Sequence, residues 1–204
     1  MKNTLLLAST SASRQFLLKE AQIPFSLIGQ SADESQCDWG LPLAKLVEGI
    51  ALYKMEHALL PANGKEGEVI FVLTADTLSE DSDGIISGKP TSRQEAIAML
   101  KAARNGMRTG TAFCLDRKVR VGDSWQTDKR IVQFVDAQYL FVVPDFWIDI
   151  YFERSIALNA SGAISIEGFG SLFLQSVNGS YTAIVGLPLL EVRQGLEKLG
   201  FGFF

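Results

Sequence analysis

The sequence predicts a mixed α/β fold, a sheet with helices packed against it, and three observations carry that prediction. The stretch Glu68–Leu78 holds the unbroken apolar run Val-Ile-Phe-Val-Leu, which fits a strand buried on both faces better than one alternating between core and water. Helix-spaced apolar segments interleave with β-type runs along the chain. No repeat, low-complexity tract or linker divides the 204 residues. They are therefore expected to form a single domain, 1–204, large enough to fold without a disulfide or metal staple.

Each element has a local reason. Thr4–Ala8 is a short first strand, and Ser11 or Ser13 would cap a helix running through Leu18. Phe25–Ile28 is a second strand, followed by a loop with Asp33 and Glu34. Leu46, Val47, Ile50 and Ala51 give Leu43–Leu60 helical spacing, and Pro61, Asn63 and Gly64 stop it. The buried strand ends at Thr74-Ala75-Asp76-Thr77, Glu80–Gly84 is a turn, and Ile85-Ile86 starts a return strand ending at Gly88-Lys89-Pro90. Ser92 and Glu95 form a capping box for a helix to about Arg104. Thr111–Leu115 and Arg130–Val143 are β-type, with a charged, glycine-containing turn between them. Pro144 fits the first turn of a helix through Arg154. Ala163–Ile166, Ser171–Val177 and Tyr181–Val185 read as hairpin strands, with Asn178-Gly179 as a turn. Pro188 opens a last helix and Gly200 closes it.

Composition narrows the function. With 47% hydrophobic residues the chain has enough apolar surface to offset chain entropy, which excludes disorder for most of its length. A net charge of −4 and the lack of any Lys/Arg-rich run argue against a nucleic-acid polymer as partner. No apolar run approaches the ~18 residues of a membrane span, and the opening leucines fall short of a signal-peptide core of about 7–15 residues. Cys37 and Cys114 form no Cys-x-x-Cys and read as free thiols in a reducing compartment, the cytoplasm. The single histidine, His57, sits in a helical segment and excludes a His-based metal cage. Chemistry then falls to carboxylates, lysines and hydroxyls, a set suited to a phosphate substrate and a hard divalent cation.

Each candidate also has a plainer reading. The serine-rich turn before Arg14 could bring backbone N–H groups and a guanidinium to a phosphate, though by itself it reads first as an ordinary helix cap. Asp76, after a buried strand, stands where open α/β sheets place ligands, or is a strand-end aspartate opening a turn. Lys89 is a point charge between a glycine and a proline, or a solvated lysine. Lys54 follows the apolar face of its helix, or simply snorkels. Asp33-Glu34 is a pair of loop acids. The aromatics of Asp145-Phe146-Trp147 and Tyr151-Phe152 suit a core or a dimer contact.

Taken in order, these segments resemble the Maf-type nucleoside triphosphate pyrophosphatases. The resemblance runs from Leu5 to about Gly200. It covers LLLASTSASRQFLL at the start, Asp33-Glu34, Ala51-x-x-Lys54, Ala75-Asp76-Thr77, Gly88-Lys89-Pro90, Glu167-Gly168-Phe169-Gly170 and NGSYTAIVGLPL from Asn178 to Leu189. Ala12 and Ser13 depart from the usual Pro and Arg or Trp, and Ala103–Gly110 looks shortened.

The resemblance implies an elongated mixed sheet flanked by helices, with a cleft between two lobes, like the inosine-triphosphate pyrophosphatase superfamily. It implies hydrolysis of a nucleoside triphosphate, modified or non-canonical, to monophosphate and pyrophosphate, with a divalent metal (Mg or Mn) and a homodimer. By position Asp76 would be the general base, and Glu34 with Asp76 the metal site. Ser9, Arg14, Lys54 and Lys89 would bind phosphate, and Ser13, Thr77 and Glu167 would bear on the base. Thr77 resembles the pyrimidine-preferring branch and Glu167 the branch acting on 7-methyl-GTP. Glu167, an acceptor, leans toward a base with a donor edge, a guanine or cytosine derivative, over UTP or dTTP. The other function class is a catalytically weak nucleotide-binding regulator linked to cell division. Retention of Asp76, Glu34, Lys54 and Lys89 favours the enzyme.

Overall fold

The computed structural model describes residues 5–203. Thr4, expected to open the first strand, lies outside them. The elements are β1 (Leu5–Leu7), α1 (Ala12–Glu20), β2 (Phe25–Leu27), α2 (Leu43–Glu56), β3 (Val69–Asp81), β4 (Ile86–Ser87), α3 (Arg93–Ala102), β5 (Met107–Val121), β6 (Ser124–Phe141), α4 (Ile148–Arg154), β7 (Leu174–Gly179), α5 (Tyr181–Val185) and α6 (Leu189–Leu199). The described strands form one seven-stranded mixed sheet in the order β2-β1-β3-β5-β6-β7, with β4 antiparallel on β3. β1 runs parallel to both β2 and β3, and β7 runs antiparallel to β6. The mixed α/β expectation is met.

The chain divides into two compact units, which the long strands β3, β5 and β6 both enter. The first holds the described residues up to Asp76, Ala112–Phe134, and those from Gly186 on. Here the buried run of β3 is covered on both faces, as its unalternating pattern implied. Val72 packs in one core cluster with Met55 of α2 and Cys114 of β5. On the opposite face Phe71 meets Phe201 edge-on, just after α6, at 5.1 Å. A Cβ on Gly195 of α6 would sit 2.8 Å from Leu115 Cδ1, so a larger residue there would push the Leu115 side chain aside. Asp116 of β5 is fully buried, receives two bonds from Arg130 (2.6 and 2.7 Å), and pairs with Lys118 at 2.8 Å.

The second unit, Thr77–Thr111 with Val135–Val185, has an aromatic core. Tyr151 meets Phe173 edge-on at 5.8 Å, beside Phe141. The Tyr151 hydroxyl accepts from the Ser165 backbone N–H at 2.8 Å. Tyr151 and Phe152 are thus core residues, while Phe146 stays 78% exposed.

Several boundaries differ from the sequence reading. Helix α2 ends at Glu56, where His57 caps it with its ring against Tyr53 and its Nδ1 2.9 Å from the Tyr53 carbonyl, so Pro61 stops nothing. Strand β3 continues to Asp81, past the expected turn at Glu80. Of the strands expected over Ala163–Val185, Ser171–Val177 is met in part by β7, while 3-10 turns at Ser161–Ala163 and Gly168–Phe173 and helix α5 stand in place of the rest. Asn178-Gly179 finishes β7 and makes no turn. The Ser180 hydroxyl accepts from the Ala183 N–H at 3.2 Å and starts a helix through the β-branched Thr182, Ile184 and Val185. A cap outweighs weak local propensity. Strands β5 and β6 run well into the expected turn, leaving only Gly122-Asp123 between them, and the helix after Pro144 begins as a 3-10 turn at Asp145–Trp147. Ser11 caps α1, Ser92 caps α3 by accepting from the Glu95 N–H, and Gly200, left-handed at φ 84°, ends α6.

Candidate active site

The first unit holds six of the sequence-predicted residues, and Ser9, Arg14, Glu34, Lys54 and Asp76 are the five that interact with one another. Asp76 was expected at a strand end and lies inside β3. The register explains both observations. The parallel pairing of β1 with β3 stops at Leu7↔Leu73, and the Ala8 N–H makes a last bond to the Leu73 carbonyl at 2.9 Å. Asp76 therefore follows the carboxyl end of the parallel ladder, on a strand that runs on into antiparallel pairing with β4.

Alternation along β3 puts Val72, Thr74 and Asp76 on one face, the face that α2 covers. Lys54, one turn beyond Ala51 on α2, extends its ammonium between two acids. Nζ is 2.7 Å from Asp76 Oδ1 and 2.7 Å from Glu34 Oε1. Lys54 and Asp76 are both buried, whereas the Glu34 side chain is 43% exposed. Asp33 places Glu34: its carboxylate accepts from the Ser35 N–H (3.1 Å) and hydroxyl (2.7 Å) and starts a 3-10 turn at Glu34. Those bonds, the hydroxyl's first, hold the exposed Asp33 carboxyl below its ordinary value.

The two oxygens of Asp76 differ. Oδ1 takes the Lys54 bond, while Oδ2 is buried without a hydrogen-bond partner among the described residues. Such an oxygen is costly to keep in a folded protein.

Arg14 is buried in α1. Its Nε donates to the Gly186 carbonyl at 2.8 Å and its Nη1 to Ser9 Oγ at 3.2 Å. Burial lowers its pKa, against the raising effect of the Asp76 and Glu34 charges. Ser9 Oγ also accepts from the Ser11 N–H at 3.3 Å. With both lone pairs engaged, the Ser9 hydroxyl proton is left to donate. The nearby Cys37 thiol is pushed up, by partial burial first and then by the charges of Glu34 and Asp76, so it stays protonated at neutral pH.

Glu34 and Asp76 are the donors that could hold a cation. Among the described residues no cluster of three or more His, Cys, Asp or Glu could hold a metal. Two carboxylates, one with an unpartnered oxygen, nonetheless fit Mg²⁺, which usually takes one or two carboxylates and completes its shell with water and substrate phosphate.

The remaining predicted residues are placed as follows. Ser13 is half-buried in the first turn of α1. Lys89, in the second unit, is exposed after β4. Glu167 is half-buried and precedes the Gly168–Phe173 turn, its carbonyl accepting from the Gly170 N–H at 3.1 Å. A Cβ on Gly170 would fall 1.7 Å from the Ser165 carbonyl oxygen, so this loop requires glycine there. Thr77 Oγ1 is 2.8 Å from Thr111 Oγ1, and Thr111 donates to the Ala183 carbonyl at 2.7 Å. Thr111 has spent its one proton, so Thr77 is the donor between them. Thr74 and Thr111 were not singled out from the sequence. The signal for Thr74 was available: it is two residues from Asp76, hence on the same strand face.

The Maf-like protein family profile matches residues 4–199. Along 96% of its length the chain is 32% identical to a dTTP/UTP pyrophosphatase of Caldicellulosiruptor saccharolyticus, covering 94% of that protein. It is 30% identical to a dTTP/UTP pyrophosphatase of Hydrogenovibrio crunogenus, over 98% of each chain. It is 29% identical to a nucleoside triphosphate pyrophosphatase of Prochlorococcus marinus, over 98% of this chain and 99% of that one. The chain belongs to the Maf-like protein family.

Proposed function

We propose that the chain is a nucleoside triphosphate pyrophosphatase, a hydrolase that uses water to cleave a nucleoside triphosphate to monophosphate and pyrophosphate with a divalent cation. The observation that carries this reading is the split role of Asp76, one oxygen fixed by Lys54 and the other buried and unpartnered. The names of the relatives support it.

Asp76 Oδ2 would accept the proton of the attacking water, while the Lys54 bond to Oδ1 fixes the carboxylate plane. Arg14 and Ser9 would donate to phosphate oxygens, and Lys89 would add a further cation. Glu34 and Asp76 would hold the cation, which supplies charge neutralisation on the phosphates.

For the base, Glu167 alone leans to a donor edge of guanine or cytosine. Thr77 weighs the other way. Its place resembles that of the pyrimidine-preferring branch, and two of the relatives named above carry dTTP and UTP in their names. We therefore favour a uracil or thymine nucleotide, modified members of that class included. The reading extends to a homodimer in the cytoplasm. Among the described residues no helix is long and apolar enough to cross a membrane.

The test is a pyrophosphate-release screen over UTP, dTTP, CTP and 7-methyl-GTP with Mg²⁺ or Mn²⁺. Asp76→Asn should lower kcat by about 10²–10⁴-fold while the protein stays folded. A chelator should abolish turnover. Orthophosphate and nucleoside diphosphate as the only products, or near-normal turnover by folded Asp76→Asn, would overturn the proposal.

A further inference from the structure

We infer that Thr74 is a positioning residue: its buried hydroxyl sets the axial register of α2 that delivers the Lys54 ammonium to Asp76. The importance of that delivery rests on the role proposed above for Asp76.

Three of the contacts between α2 and one face of β3 bear on this. Met55 packs against Val72, the Thr74 hydroxyl donates to the Ala51 carbonyl at 2.7 Å, and Lys54 pairs with Asp76 at 2.7 Å. They differ in stiffness. Met is unbranched and repacks easily, so the first contact tolerates sliding. The third ends on a long, flexible stem and is the one a phosphate would compete for. The second joins a short β-branched side chain to a backbone carbonyl, and both residues are fully buried. A hydrogen bond is held to within a few tenths of an ångström. Sliding α2 by one residue, about 1.5 Å, would break it.

Ala51 and Lys54 are three residues apart on the helix, and Thr74 and Asp76 are two apart on the strand. Fixing Ala51 on Thr74 therefore fixes where the Lys54 stem begins relative to the Asp76 carboxylate. The Ala51 carbonyl already serves the helix ladder, so the Thr74 bond is not needed to satisfy it. Helix stability alone gives no reason for the hydroxyl, whereas registration does.

The experiment compares full-length wild type with Thr74→Val, Thr74→Ser, Val72→Ala and Asp76→Asn. Val72→Ala is the control that weakens the same interface without touching the hydroxyl. The first readout needs neither nucleotide nor metal: the rate at which an acylating reagent modifies Lys54, followed by peptide mass spectrometry in a chelator. Thr74→Val should speed Lys54 modification several-fold, and Thr74→Ser should restore the wild-type rate. Val72→Ala, at a comparable loss of melting temperature, should leave it nearly unchanged. The second readout is turnover with Mg²⁺. Thr74→Val should lower kcat about 10- to 100-fold, the scale of a sub-ångström to ångström misplacement, with KM within about threefold.

Unchanged Lys54 modification in Thr74→Val, or an equal rise in Val72→Ala, would overturn the positioning role. Full turnover in Asp76→Asn alongside faster Lys54 labelling in Thr74→Val would instead leave the positioning standing and remove Asp76 from the mechanism.

Discussion

Lys54→Met should create a protein that a second mutation repairs. Lys54 Nζ is 2.7 Å from an oxygen of Asp76 and 2.7 Å from an oxygen of Glu34, so those two oxygens lie no further apart than twice that distance. Methionine keeps the stem and removes the charge. Two unit negative charges at ~5 Å repel by about 3 kcal/mol at an effective dielectric of ~20. Solvent around the 43%-exposed Glu34 reduces this to about 1–2 kcal/mol. Arg14 remains nearby and keeps the effect at the lower end. Loss of the cation from buried Asp76 should cost about 3 kcal/mol, or about 6–12 °C in melting temperature for a chain of this size.

Adding Glu34→Gln to Lys54→Met should then raise the melting temperature by about 2–8 °C. The same change in wild type breaks a half-exposed ion pair and should lower it by about 0–4 °C. The opposite sign in the two backgrounds is the signature, read by calorimetric melts at pH 7 with a chelator to keep cations off the acids. Equal shifts in both backgrounds would refute the idea that Lys54 holds the two carboxylates together.

Two further outcomes follow from other parts of the fold. Burial pushes the Asp116 carboxyl up, but its bonds to Arg130 and Lys118 overcome this and hold it below the ordinary carboxylate value. Asp116→Asn should therefore cost about 3–5 kcal/mol at pH 7 with kcat unchanged below the melt, and the gap to wild type should shrink as pH falls below ~4, where wild type loses the contribution of its depressed carboxyl. Burial drives the Cys114 thiol to about 12, so iodoacetamide at pH 8 should leave it unmodified in the native protein and label it only after unfolding.

Much of this was legible in the sequence where one local rule governed the outcome. The run Val69–Leu73 announced a strand covered on two sides, and Ser92 with Glu95 announced the start of α3. The chemistry was legible as a set of residue types, Asp76, Lys54, Glu34 and Arg14, before it was legible as a place. What stayed hidden depends on pairing. That Asp76 lies at the end of a parallel ladder, inside a longer strand, follows from β1 stopping at Leu7, and nothing near Asp76 encodes that. Tyr181–Val185 read as a strand because Thr, Ile and Val are β-branched, yet one serine cap suffices to make it helical. Thr111 was silent because a threonine in a strand is unremarkable until its hydroxyl is seen to have a carbonyl partner, whereas Thr74 could have been found from its place two residues before Asp76.

The charges of the first-unit site explain why a buried oxygen is left without a bond. Arg14 and Lys54 carry two positive charges, and Asp76 and Glu34 carry two negative ones, so the cluster is neutral as built. Neutrality lets four ionisable groups share a partly buried site at tolerable cost. It also means the cluster has no surplus charge to offer a triphosphate, whose ~4 negative charges must be offset from outside it. A divalent cation held by the Glu34 and Asp76 carboxylates, as proposed above, would supply positive charge that the cluster itself lacks. On that proposal the carboxylate that is a stability burden in the free protein would help offset part of the nucleotide's charge. On this argument removing the burden, by giving Asp76 Oδ2 a hydrogen-bond partner from a neighbouring side chain, would stabilise the fold and lower turnover together.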